Sequence, residues 1–321
     1  MTAPASKRLP RYRRAPEDLS CSLTLRDLEI LGVTESFRLV TSEHIQALTA
    51  GSGQGVLRRL QKLFHAGYLD RLQPRAPYGS GSAKMVYAIT NKGIRTLEES
   101  GELKRRSSTD WNAQNRTLHD FSIRHTLLVS EIRAAVTAAS RHNPGLKLLY
   151  WKEGRQLYDS VEVALPDGYA HIPVAPDAFF GLQDAQGKMH FFLEADRGTM
   201  TLKRFVRKLK AYAAYHRQKR QQDKFGIRYF RVLTVTSSVE RAGNLAKAAK
   251  AEDDIRQLGR MFLFTSDDGL SLSDPESISK KIWSSLESPD RCSILGETET
   301  IPAKEGKPYE LRNNPYHRGI Q

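Results

Sequence analysis

The chain has 321 residues and a formal net charge of +14, with 39% hydrophobic residues, enough for two domains that each bury a core and too many for a disordered chain. The positive balance favours a polyanion, nucleic acid first, because each Lys or Arg set on a phosphate releases condensed counterions; a basic protein that merely stays soluble is the alternative. Two distant cysteines, Cys21 and Cys292, exclude a disulfide framework and a zinc site and fit a reducing cytoplasm, and no apolar run approaches the roughly 20 residues that span a bilayer.

Residues 1–20 carry basic residues without an apolar stretch, which excludes a secretory signal and reads as a basic, disordered arm. Residues 23–37 repeat Leu25, Leu28 and Leu31 at helical spacing behind a Thr24 cap with Asp27 three residues on. Thr41 opens a second short helix through Ile45 and Leu48. After Gly51-Ser52-Gly53 a third helix sets Val56, Leu60, Leu63 and Phe64 on one face, and Gly67 closes it. The period then falls to two in residues 68–73 and 84–90, two strands around a Pro/Gly/Ser loop, and a helix follows through Ile94 and Leu97. Three helices, a hairpin and a helix are the order of a winged helix over residues 21–100, with the third helix as the reading element for double-stranded DNA. Gln54, Arg58, Arg59 and Lys62 lie off its apolar face, and forked donors of this kind match base edges. In the hairpin, Arg71, Arg75 and Lys84 are placed to meet phosphates. A solvated charged face is the plainer reading of the same residues.

Residues 101–116 are polar and basic and read as a linker. A second domain over 117–286 opens with an Ala-rich helix and has strands at 146–152, around 170–182 and at 188–194. A basic amphipathic helix at 202–219 and a strand at 228–236 complete an αβββαβ order. A helix at 239–252, a strand at 260–265 and a helix from Pro275 to Leu286 follow, and residues 287–321 read as a polar tail. A hairpin over 170–194 brings Asp177 to Glu194 and Asp196. Such a group repels itself unless a cation joins it, and oxygen ligands suit Mg²⁺ or Mn²⁺. Glu131 on the preceding helix offers a fourth acid, and Lys208 and Lys210 on the following helix offer charge for a scissile phosphate. The alternative is that the acids only pair with Arg197, Lys203 and their neighbours. His125 reads as a packing residue; Tyr212 and Tyr215 read as core or groove residues, with a phosphotyrosine nucleophile as their other use.

The stretch from His125 to Glu131, then Pro176-Asp177-Ala178, then Glu194-Ala195-Asp196-Arg197-Gly198-Thr199 and Lys208-Leu-Lys-Ala-Tyr212-Ala-Ala-Tyr215 resemble the replication-relaxation family of plasmids and mobile elements. That resemblance implies a role in replication or in DNA relaxation or transfer. The second domain also resembles the PD-(D/E)XK nucleases, so the expected fold is α+β: a winged helix followed by an αβββαβ restriction-endonuclease-like domain. By position Asp177 matches the metal-binding Asp, Glu194 the first acid and Glu131 the acid of the first helix. The lysine position holds Asp196, and Lys208 from the next helix is its substitute. Expected partners are double-stranded DNA and replication or mobilisation proteins, in the cytoplasm. A Mg²⁺-dependent endonuclease or nickase using Asp177, Glu194, Asp196 and Lys208 is the alternative function, and a transcriptional regulator a further one.

Overall fold

A computed structural model describes residues 9–15, 21–74, 84–103, 107–165 and 168–295. The chain divides into two compact units, Met1–Ala138 with Leu270–Pro275, and Ala139–Gly269 with Glu276–Gln321.

The first unit is built from helices around a small antiparallel sheet. Helix α1 (Leu25–Phe37) starts where Asp27 accepts from both the backbone N–H and the hydroxyl of Thr24, each at 2.7 Å. The short strand β1 (Val40–Thr41) leads into α2 (Ser42–Leu48), capped by Thr41, and α3 (Gly53–His65) follows, capped by Ser52. Val56, Leu60, Leu63 and Phe64 are buried, as their spacing predicts. Gly67 ends the helix at φ +82°, a left-handed backbone that a residue with a Cβ adopts only under strain, and Tyr68 N–H reaches back to Leu63 O. Strands β2 (Leu69–Leu72) and β3 (Val86–Ile89) pair antiparallel, with β3 between β2 and β1. Helix α4 (Asn91–Glu99) follows. In the expected linker the chain forms a further helix, α5 (Trp111–Arg116), because Asp110 caps it and Asn91 Oδ1 accepts from the N–H of its first residue, Trp111. Helix α6 (Asp120–His142) runs through the division between the units.

The second unit is a seven-stranded mixed sheet. In chain order it has β4 (Lys147–Glu153), β5 (Asp159–Leu165), β6 (Gly168–Val174), β7 (Ala178–Asp184), β8 (Gly187–Asp196), α7 (Leu202–Arg217), α8 (Arg220–Phe225), β9 (Arg231–Thr236), α9 (Val239–Lys250), α10 (Asp253–Arg256), β10 (Phe262–Ser266), β11 (Trp283–Ser285) and β12 (Arg291–Cys292). The sheet order is β12-β11-β10-β9-β8-β7-β4, with β8, β9 and β10 parallel, and β5 and β6 form a separate hairpin. The apolar core gathers between the sheet and α7, α9 and the hairpin around Phe179, Phe192, Phe205, Tyr212, Phe230 and Phe264.

Two segments fold differently from their sequence expectation. The strand expected around 170–182 is two strands, because Pro176 interrupts the run and the first half pairs with β5. The helix expected from Pro275 to Leu286 is a single 3-10 turn (Ser277–Ser279) and β11; a serine-rich stretch has weak helical preference, and Trp283 is buried in the sheet instead. Cys292, inside the expected polar tail, lies in the edge strand β12.

Candidate functional site

In the first unit, α3 turns a basic face outward. Gln54, Arg58, Gln61 and Lys62 are exposed, at i, i+4, i+7 and i+8, opposite the buried apolar row. Arg59 is different: it makes an ion pair with Asp27, which is fully buried, and its guanidinium also donates to Ser22 O at 3.1 Å. The hydrogen bond with Asp27 holds Arg59 above its ordinary pKa. Arg71 lies over the rings of Phe64 and Tyr87, at 4.3 and 5.5 Å, and burial lowers its pKa. Lys84 pairs with Glu43. Arg75 lies outside the described residues. Arg14, from the expected arm, bonds Phe64 O, Leu69 O and Asp70.

Glu131 is engaged within the first unit: its carboxylate lies 2.6 Å from Nε2 of the buried His44. Nδ1 of that ring accepts from Thr41 N–H, so Nε2 carries the proton and donates to Glu131.

In the second unit, the β7–β8 register pairs Ala178 with Leu193, and one further step along it sets Asp177 opposite Glu194. Asp177 N–H donates to Leu193 O at 3.0 Å, and Asp177 Oδ2 accepts from Ala195 N–H at 2.8 Å, which latches this carboxylate to the backbone flanking Glu194. Glu194 is buried, and α7 supplies its partners: Lys208 Nζ donates to Oε2, and Tyr212 OH donates to Oε1. Burial pushes the Glu194 carboxyl up to about 7, against the pull of Lys208. Burial works against the Lys208 ammonium too, but the Glu194 and Asp177 carboxylates outweigh it and raise its pKa. Burial raises Tyr212 well above an ordinary phenol.

Asp196 is taken up elsewhere, accepting from Thr236 Oγ1 and Arg241 Nε at 2.9 Å each. Lys210 pairs with Glu252 at 2.6 Å, and Tyr215 OH donates to Asp159 at 3.3 Å. His125 is a half-buried residue of α6. Among the described residues no group of three or more His, Cys, Asp or Glu side chains is arranged to share a metal ion. Nor is any helix among them long and apolar enough to cross a membrane.

Sequence reasoning missed Tyr212 as a partner of Glu194, although the Lys-x-x-x-Tyr spacing sets both donors on one face of α7. Arg241 and Asp27 carried no such signal.

These features define a mixed α+β protein of two units, one with a basic helix face and one with a buried Glu–Lys–Tyr cluster beside an Asp. The chain belongs to the replication-relaxation family, the match running over residues 31–229, from α1 to the entry of β9. Membership suggests a protein associated with plasmid replication. No significant match was found among curated proteins or among solved structures.

Proposed function

We propose that this chain is a DNA-binding protein of a plasmid or mobile element, acting in replication or in DNA relaxation or transfer. In this reading the first unit is a winged helix and α3 enters the major groove of duplex DNA. The observation that carries it is the exposed row Gln54, Arg58, Gln61 and Lys62 set against a fully buried opposite face on a chain of net charge +14. Replication or mobilisation proteins are its further partners. The test is anisotropy of a labelled duplex across a salt series. Arg58→Ala with Lys62→Ala should weaken binding and flatten the salt slope by about 1 for each phosphate that loses its cation. An unchanged slope and affinity would remove α3 from the reading.

A second reading is favoured by one observation, the meeting of Asp177, Glu194 and Lys208 on adjacent elements. The second unit is then a restriction-endonuclease-like domain in which Asp177 and Glu194 hold Mg²⁺ or Mn²⁺ and Lys208 faces the scissile phosphate. Carboxylate oxygens suit such a cation, which when bound lowers the pKa of water at the phosphate. Both Glu194 oxygens are engaged by Lys208 and Tyr212, so loading requires one of these donors to turn away. Supercoiled DNA incubated with Mg²⁺ or Mn²⁺ decides the matter: nicking by the wild type and not by Asp177→Ala supports cleavage, and intact plasmid with both proteins rejects it.

A further inference from the structure

Strands β8, β9 and β10 run parallel, and Glu194 lies near the C-terminal end of β8. At the opposite, N-terminal ends of the same strands a cavity of about 510 Å³ opens. Lys188 and His190 line it from the start of β8, Tyr229 from the entry to β9, His216 from the last turn of α7, and Arg256 and Arg260 from the approach to β10. His190 is four residues from Glu194, roughly 13 Å along the strand. The fully buried Phe192, Tyr212 and Tyr215 pack in between, so the cavity is separate from the carboxylate cluster.

The lining combines ring faces with charge that is mostly positive, Glu287 being the carboxylate among them. Tyr229 is 51% exposed and lies 6.3 Å from the His216 ring at 34°. His216 has a buried Nδ1 with no hydrogen-bond partner among the described residues, and burial lowers the pKa of its ring. His190 shares a 2.7 Å hydrogen bond with Tyr150, and burial together with Lys188 lowers it to about 4. Both rings are therefore neutral at pH 7; Nδ1 of His190 is taken by Tyr150 and Nδ1 of His216 is enclosed, which leaves Nε2 of each ring for the edge of a heterocycle. Lys188, Arg256 and Arg260 surround them; Asp253 and Glu287 pair with the two arginines at 2.6 and 2.5 Å.

We propose that this cavity binds a nucleotide, its base stacked on Tyr229 beside His216 and its phosphate held by Lys188 at the arginine rim. Aromatic faces next to cations are the combination that captures a base with its phosphate, whether the nucleotide is free or an unpaired member of a DNA strand. The proposal does not rest on duplex binding by α3 or on cleavage at Glu194.

Calorimetry on the full chain tests it, with AMP, adenosine, inorganic phosphate, and a short oligo(dA) beside its abasic counterpart. AMP should bind at least tenfold tighter than adenosine or phosphate. Tyr229→Ala should weaken AMP about tenfold, the scale of one missing stacking partner, and Lys188→Ala should weaken AMP and spare adenosine. Tyr229 is half exposed, and an unchanged melting temperature will show that its variant is folded. Loss of oligo(dA) affinity in Tyr229→Ala, with the abasic strand already weak, assigns the cavity to an unpaired nucleotide of DNA. Loss of AMP affinity alone assigns it to a free nucleotide. Failure of both AMP and oligo(dA) to bind at millimolar concentration, or affinities unmoved by Tyr229→Ala, overturns the proposal.

Discussion

Lys208 on α7 donates to Glu194 on β8 across fourteen residues of chain, and the two side chains are only 20% and 5% exposed. A buried ion pair of this kind is most costly when half of it is removed: without Lys208, the Glu194 carboxylate has little access to water and keeps only the Tyr212 hydroxyl as a side-chain donor. Lys208→Met should therefore lower unfolding stability by about 3 kcal/mol. The double variant Lys208→Met with Glu194→Gln should recover most of that loss. Urea denaturation of these two variants and of Glu194→Gln alone, beside the wild type, closes the cycle; a double-variant loss equal to the sum of the two single losses would show that the pair is not coupled.

The same pair sets an acid-range signature together with His190. Burial lifts Glu194 from 4.5 to about 7, so the stability it contributes is full below pH 4.5 and is lost as pH rises through 7. Burial and Lys188 lower His190 from 6.5 to about 4, so its contribution is full above pH 6.5 and is lost as pH falls through 4. In the wild type the two slopes oppose each other. Glu194→Gln should leave stability rising with pH from 4 to 6.5, and His190→Gln should make the change across that window less positive than in the wild type, with His65 and His216 still adding to the rise. Denaturation midpoints at half-unit pH steps read these slopes directly.

What the sequence made legible here follows from range. Helix α3 could be read because Val56, Leu60, Leu63 and Phe64 repeat within one element, and the Thr24–Asp27 cap because its partners are three residues apart. The meeting of Asp177 and Glu194 could be read because a short hairpin joins β7 to β8. The β5–β6 hairpin was not legible: Pro173 and Pro176 obscure its end, and its polar positions, such as His171 opposite Glu162, weaken the alternation. Nor were the partners of Asp196 and Arg59, since Arg241 and Asp27 come to them through tertiary packing from 45 and 32 residues away. Charge alone made Arg58 and Arg59 equivalent; burial separates them.

That separation predicts two different phenotypes from neighbouring arginines. Arg59→Ala leaves Asp27 fully buried with its main partner gone, and should cost about 3 kcal/mol of stability. Arg58 is exposed, so Arg58→Ala should change stability by no more than about 0.5 kcal/mol. Its effect should fall on duplex affinity instead. Thermal melts and anisotropy on the same two proteins distinguish the roles, and a destabilised Arg58→Ala would contradict this assignment.

Two glycines inside helices should respond to alanine with opposite signs. Gly93 opens α4 beside the chain leaving α3, where an added Cβ would stand 2.5 Å from Tyr68 O and 2.8 Å from Ile89 Cγ1. The first is a backbone carbonyl and the second a buried core atom, so neither moves without displacing β2 or β3. Gly93→Ala should cost about 1–3 kcal/mol, the usual range for overpacking. Gly243 lies within α9, where an added Cβ would have no neighbouring atom inside 4 Å, and its φ is not positive. Alanine there removes unfolded-state freedom and adds helix propensity, so Gly243→Ala should gain about 0.5–1 kcal/mol. Urea midpoints measured for both variants test the pair together: a loss at Gly243 would mean that the α9 surface is covered in solution, and a neutral Gly93→Ala would mean that the start of α4 can move away from Tyr68.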